Sequence, residues 1–568
     1  MKFFFTLLTI LVFASPVFTQ NSRHIIRFAN KGTSSFSLQA PLSYLSQKSI
    51  NRRTRQKIQT DSTDLPVNPA YIDSLKNVPN VVVISNSKWL NQVLIRTSDS
   101  AALTRIRQFP FVKFAMAIAL KAKPQETIIQ KQFTESVVEL PERPLLNSRQ
   151  RETKVLDTIA YGNTYAQIHI HEGEYLHNRG FTGQGMTIAI LDAGFFGYKT
   201  NPALDSLRLQ NRVLGEYDFV NNETSVNEDH PHGFQCLSII ASNRPGILVG
   251  SAPNASFYLF RTEDAATEYP VEEHNWVVAA EYADSAGVDL ISSSLGYADF
   301  DDPAFNHEYI ERNGNTSMIT IGADLAAKKG IIVMNSAGNS GNFLTDFKYI
   351  SCPADGDSVM AVGAVDANGM IASFSSWGPN SAGKIKPDIV SVGQGTILAT
   401  NSGTPAAGNG TSYSNPNAAG LITCLWQAFP EFTNMEIIDA VKRSSDKYLM
   451  PDVRYGYGLP NFRVAYDLLS KERTLRNSIV ILGNEWIKAF PVPFRNQLNI
   501  LFKSSTTGKG ILQLITSSGM IVETIPFNAI TGQHVIARFS SAPFLSKGVY
   551  FIRYQAQGIK YTLKAIRN

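Results

Sequence analysis

The run Gly185-Met186-Thr187-Ile188-Ala189-Ile190-Leu191-Asp192-Ala193-Gly194 constrains this chain most. Four of the five residues from Ile188 to Asp192 are apolar, without the in–out alternation of a half-exposed strand. A strand of that kind is buried on both faces, which calls for helices above and below it and favours parallel neighbours. From Gly185 to about Ala465 strand-like and helical patterns alternate. The expected fold is therefore α/β, a parallel sheet flanked by helices. Asp192 closes the run and Gly194 turns the chain away. Sites in open α/β sheets lie at the carboxyl ends of strands. Asp192 is thus a candidate for chemistry, and equally a carboxylate that caps a turn.

Two later stretches extend the pattern. In His230-Pro231-His232-Gly233-Phe234-Gln235-Cys236-Leu237-Ser238-Ile239-Ile240-Ala241 the apolar run after Gly233 reads as a helix with His232 at or near its first turn. Histidine is the usual general base near neutral pH. His232 is preferred to its neighbour His230, because Gly233 allows close backbone approach; a structural histidine is the alternative. The second stretch runs from Gly410 through Thr411-Ser412-Tyr413-Ser414-Asn415-Pro416-Asn417-Ala418-Ala419 to Gly420, and Leu421 to Trp426 continue it as an apolar helix. Pro416 suits a first turn, where a missing N–H costs little. Ser412 then lies near the positive end of the helix dipole and its unpaired N–H groups, a setting that suits an attacking hydroxyl whose reaction builds an oxyanion. An ordinary helix start has the same appearance.

Together these segments resemble the subtilisin-like serine proteases, with Asp192-Ala193-Gly194, His232-Gly233-Phe234 and Gly410-Thr411-Ser412-Tyr413-Ser414-Asn415-Pro416 standing for the family's three boxes. The order Asp, His, Ser is that of subtilisin. The resemblance continues through Gly250-Ser251-Ala252-Pro253, Ser294-Leu295-Gly296, Asn335-Ser336-Ala337-Gly338-Asn339, Phe374-Ser375-Ser376-Trp377-Gly378-Pro379 and Lys386-Pro387-Asp388, and covers roughly residues 155–470. It implies a serine endopeptidase in which Ser412 attacks a peptide carbonyl, His232 moves the proton and Asp192 orients His232. It further implies an oxyanion donor in Asn339, which by itself also reads as a turn residue. Extended substrate would lie along Ser294, Leu295 and Gly296, with a first pocket also bordered by Ser336, Ala337 and Gly338. The chain departs from the pattern at Ala193, Phe234 and Asn417, none of which removes a group expected to act on substrate. The alternatives are a non-catalytic surface-binding protein on a protease scaffold, and a hydrolase of some other acyl group.

At 568 residues the chain exceeds one ordinary domain. Its net charge of +5 is small for that length and does not argue for nucleic acid. Met1 to Thr19 reads as a signal peptide, with Lys2 before a short apolar core, and no later stretch is long enough to span a bilayer. The expected location is therefore secreted or at the cell surface. Three cysteines, Cys236, Cys352 and Cys424, argue against a disulfide framework, and Cys236 and Cys424 read as buried thiols. No Cys/His spacing suggests zinc. The chemistry needs no cofactor. By the resemblance a structural calcium is the one metal to consider, in the acidic, irregular segment between Tyr297 and Ala327, where a solvated loop is the plainer reading.

Residues 20–120 carry strand-like runs at His24–Phe28, Val81–Ile84 and Gln92–Ile95, then a short helix and Val112-Lys113-Phe114. They resemble the small α/β prosegments of the same family, which block the cleft until cleaved; the bland reading is an accessory domain. Residues 35–75 look like an insertion, and its cluster Arg52-Arg53-Thr54-Arg55-Gln56-Lys57 reads as a solvated helix face or a processing-prone loop. Residues 121–154 read as a polar linker carrying the maturation cut, and 471–486 as a second linker. Residues 487–568 predict a small β-sandwich from alternating Leu498, Ile500, Phe502 and Tyr550, Ile552, Tyr554, with turns at Ser518-Gly519 and Gln557-Gly558. Phe490-Pro491-Val492-Pro493-Phe494 and Gly548-Val549-Tyr550 resemble the C-terminal sorting domains of type IX secretion in Bacteroidetes, which implies the secretion machinery as a partner. A carbohydrate- or protein-binding sandwich is the alternative.

Overall fold

The computed structural model describes residues 22–120, 135–139 and 157–568. The signal-peptide reading and most of the 121–154 linker lie outside them. The described residues form two compact units, divided after Tyr466.

The first unit begins with an antiparallel sheet in the order β2-β3-β1-β4, built from β1 (Ser22–Phe28), β2 (Val82–Ser87), β3 (Gln92–Thr97) and β4 (Val112–Leu120). Helices α1 (Gln47–Gln56), α2 (Pro69–Lys76) and α3 (Ser100–Arg107) complete this N-terminal layer. The segment Val137–Glu139, β5, follows.

The expected parallel sheet is present. It has seven strands in the order β12-β11-β10-β9-β6-β8-β7. They are β6 (Thr187–Asp192), β7 (Val213–Asp218), β8 (Ser256–Arg261), β9 (Leu290–Ser293), β10 (Ile332–Ser336), β11 (Val359–Val365) and β12 (Ile389–Val392). Every residue of β6 is buried, as its unbroken apolar run requires. Helices α4 (His232–Ala241), α5 (Val271–Ala286), α6 (Met318–Lys328), α7 (Thr411–Ala428) and α8 (Asn434–Ser444) serve the sheet. The antiparallel pair β13 (Gln394–Ala399) and β14 (Pro405–Asn409) leads into α7.

The N-terminal layer docks on α5. Glu281 accepts from the Ser87 hydroxyl at 2.5 Å and from the backbone N–H groups of Lys88 and Trp89 at 2.8 and 3.0 Å. Trp89 and Leu90 enter the same apolar core as Trp276 and Val277. The arginine cluster is not a loop, and only part of it is solvated: Thr54, Arg55 and Lys57 are exposed. It lies on α1, with Arg52 and Arg53 buried. Arg53 bridges Asp64 at 2.9 Å and Asp284 at 2.6 Å, Arg52 also pairs with Asp284, and Lys329 reaches Asp64 at 3.0 Å. Charges this deep are tolerated because each is paired.

One further expectation is corrected. The irregular segment ends earlier than Ala327, because Ser317 caps α6 by accepting from the Thr320 N–H, and Ile319, Ala323 and Ala326 bury one face. Most of the stretch read as a second linker is helical, as α9 (Phe462–Leu482) continues into it.

The second unit is a sandwich of two antiparallel sheets, β15-β16-β19 and β18-β17-β20-β21. Its strands are β15 (Ile487–Phe490), β16 (Asn499–Lys503), β17 (Gly508–Thr516), β18 (Ile521–Ala529), β19 (His534–Arg538), β20 (Gly548–Ala556) and β21 (Ile559–Arg567). Ile500 and Phe502 of one sheet share a core with Leu512, Ile552 and Tyr554 of the other. The β20–β21 turn has positive φ at both Gln557 (43°) and Gly558 (84°), the backbone that a tight hairpin demands.

Candidate active site

Asp192 ends β6, His232 begins α4, and Ser412 is the second residue of α7. The parallel sheet brings the three together, all buried. His232 Nδ1 donates to Asp192 Oδ1 at 2.7 Å, and the Ala193 N–H donates to the same oxygen at 2.8 Å. Two donors on one carboxylate oxygen fix its position. Gly233 makes the approach feasible, since a Cβ there would lie 2.6 Å from the Gly194 carbonyl and 2.8 Å from Asp192 Cβ. Burial alone would push the His232 imidazole down. The Asp192 charge, its hydrogen bond and the charge of Glu135 outweigh that and raise it to about 9. His230 stands beside His232, ring centres 6.4 Å apart, and is pushed down by burial.

Helix α7 starts earlier than its sequence suggests. Pro416 lies in the second turn, not the first. Its missing N–H is the one that would have reached the Ser412 carbonyl. That carbonyl accepts from the Ser294 hydroxyl at 2.9 Å and the Cys236 thiol at 3.4 Å.

Asn339 follows β10. Its Oδ1 accepts from the Thr411 N–H at 2.8 Å and the Thr411 hydroxyl at 2.9 Å, which leaves its amide N–H₂ free to donate into the site. Thr411 also accepts from the Gly338 N–H at 3.1 Å and ties the two loops together. Sequence reasoning missed Thr411 as a positioning group, although it adjoins Ser412.

The largest surprise is Glu135, from the stretch read as a linker. Its Oε1 accepts from Ser412 Oγ at 2.9 Å and Asn339 Nδ2 at 3.1 Å, and lies 3.8 Å from His232 Nε2. Three groups therefore point at one oxygen position.

A cleft of about 300 Å³ opens beside Ser412. Ser294, Leu295, Gly296, Ser336 and Gly338 line it, together with Asn339. Ala337 does not. It packs behind the wall with Ile350, Ala354 and Ala361, because consecutive residues of an extended chain face opposite ways. The wall also carries Glu263, Glu268, Asp299, Phe347 and Tyr349, which gives it acidic and aromatic character that no motif announced. Asn417, one of the departures, is buried and donates to the Gln167 carbonyl and to Ser391.

All three cysteines are free and buried. Among the described residues two groups could hold a cation, Asp192-His232-Cys236 and Glu263-Glu268-Glu272. The second offers the hard oxygen donors that calcium takes, and it lies before, not within, the segment singled out for calcium. Among the described residues no helix is long and apolar enough to cross a membrane.

Three family profiles and several known proteases match the chain. The Subtilase family profile matches residues 183–458, the profile "Peptidase S8 propeptide domain, Bacteroidota" matches 23–134, and "Secretion system C-terminal sorting domain" matches 488–568. Subtilisin E of Bacillus subtilis is 29% identical over 374 residues, covering 62% of this chain and 88% of that protein. Subtilisin of Bacillus pumilus is 30% identical over 294 residues, 51% of this chain and 94% of its own length. Serine protease AprX of Bacillus subtilis is 28% identical over 341 residues, 55% and 72%. With propeptide, parallel-sheet core and sorting tail in one chain, this protein belongs to the subtilase family of serine endopeptidases.

Proposed function

We propose that the protein is a secreted endopeptidase made as a self-processing precursor, and that Asp192, His232 and Ser412 are its catalytic residues. Ser412 Oγ attacks the carbonyl carbon of a peptide bond. His232 takes the hydroxyl proton and then delivers it to the leaving amine, and Asp192 holds the imidazole in the tautomer that can accept it. The acyl-enzyme is hydrolysed by water along the same path. Asn339 Nδ2 stabilises the oxyanion, fixed for that task by Thr411. What carries the reading is the convergence of Ser412 Oγ, Asn339 Nδ2 and His232 Nε2 on one oxygen position.

Polypeptide would lie along Ser294, Leu295 and Gly296, where backbone hydrogen bonds tolerate many side chains. No step needs a cofactor. A calcium ion on the Glu263-Glu268-Glu272 carboxylates would stiffen the cleft wall and take no part in hydrolysis. The N-terminal domain acts as the intramolecular inhibitor. The sorting domain hands the chain to the type IX machinery, which exports it across the outer membrane to the cell surface or beyond.

Fluorophosphonate labelling tests this reading. The mature protein takes up one probe, at Ser412, and Ser412→Ala takes up none. Equal labelling of the two, or intact casein after incubation with the mature enzyme, would overturn it.

A further inference from the structure

We infer that Glu135 is a built-in plug: an extended segment of the precursor binds along β14 and puts a side-chain carboxylate, in place of a peptide carbonyl, where the oxyanion forms. The inference rests on the proposed roles of Ser412 and Asn339 and goes beyond them, because it names the group that silences the site and the class of peptide that can do so.

The docking is a strand addition. Val137, Val138 and Glu139 of β5 pair antiparallel with Gly408, Ala407 and Ala406 of β14. The Asn409 N–H donates to the Ser136 carbonyl at 3.2 Å, and Asn409 Nδ2 donates to the Ser136 hydroxyl at 2.9 Å. Val137 packs on the small core of Cys236, Ile239, Leu398, Ala406 and Tyr413. Register is therefore fixed both by the ladder and by burial, and Glu135 is delivered to the start of α7. Gly410 gives it room, since a Cβ there would sit 2.8 Å from Glu135 Cγ.

A carboxylate suits this position and defeats the reaction. It accepts the same hydrogen bonds as a tetrahedral oxyanion, and charge-assisted bonds are the strong ones. Its negative charge, shared by the two oxygens, makes its carbon a poor electrophile. The Ser412 hydroxyl is engaged as a donor, and the nearby negative charge favours the protonated form of His232, which cannot accept a proton.

Two measurements test this. In the first, the full-length precursor and its Glu135→Gln and Glu135→Ala forms are labelled with fluorophosphonate during the first minutes after purification. The plug predicts labelling faster than wild type by about tenfold or more for both variants, the size of one lost charge-assisted bond. In the second, a synthetic peptide of residues 131–141 is added to mature enzyme. It slows labelling, while the same peptide carrying Glu135→Gln is about tenfold weaker. Equal labelling of all three precursors, or a peptide that is cut without inhibiting, would sink the inference. If the mature enzyme fails to label at all, the fault lies with the proposed catalytic residues, and the two failures are distinguishable.

Discussion

Pro416 stands one helical turn after Ser412 in α7, and the Ser412 carbonyl that it cannot reach is held by the Ser294 hydroxyl at 2.9 Å. The same residue therefore offers its side chain to the cleft and has its backbone anchored from the wall of that cleft. Ser294→Ala leaves a buried carbonyl short of a donor, at a cost of about 1–3 kcal/mol. Pro416→Ala restores the helical N–H, so in that background the cost of Ser294→Ala falls by about 1 kcal/mol. Urea midpoints of the four proteins, in a Ser412→Ala background that cannot digest itself, measure the coupling.

Asn339 in its proposed role has a distinct kinetic signature. Asn339→Ala lowers kcat by about 100–1000-fold with little change in KM, the size found for such a donor in subtilisin. Thr411→Val removes the hydroxyl that pins the Asn339 amide and lowers kcat by less, because the Thr411 N–H still holds the same oxygen. A large rise in KM with kcat intact, for either variant, would place Asn339 in substrate binding instead.

The pH profile follows from His232. Its imidazole faces Asp192 and Glu135, with His230, Cys236 and Tyr413 also beside it, and it is raised to about 9. Only the neutral ring accepts a proton, so labelling of the precursor should rise as pH passes upward through that region. Glu135→Gln removes one charge that favours the protonated ring, and the rising limb moves to lower pH. Limbs that coincide for wild type and Glu135→Gln would contradict this account of the imidazole.

The N-terminal layer is anchored by the Arg52, Arg53, Asp64, Asp284 and Lys329 network, all with side chains almost fully buried. Asp284→Ala leaves buried Arg52 without its carboxylate and Arg53 with Asp64 alone, and destabilises the precursor by about 3–5 kcal/mol. The mature form, without those arginines beside Asp284, is affected much less. Denaturant curves of precursor and mature forms check the contrast.

Much of this arrangement is legible before folding. The apolar run closing at Asp192, the glycine after His232 and the small-residue turn around Ser412 are local signals, and the sheet then brings them together. The Gln557-Gly558 hairpin is legible for the same reason. Arg52 and Arg53 are not, because a dense basic run looks solvated until Asp64 and Asp284 arrive from elsewhere. Glu135 is hidden in the same way: nothing in its neighbours announces that β14 will fix its register. The start of α7 is misread from sequence because Pro416 suits a first turn, and only tertiary donors from Ser294 and Cys236 make it acceptable in the second.

The central claim is that Ser412 cuts the chain that contains it. Mass spectrometry of the secreted protein beside its Ser412→Ala form tests it most directly. The account predicts that the wild type is cut within residues 121–154, beyond Glu135, and loses the propeptide-matched region together with the Glu135 segment, while the variant retains both. Identical cleavage of both forms would contradict it.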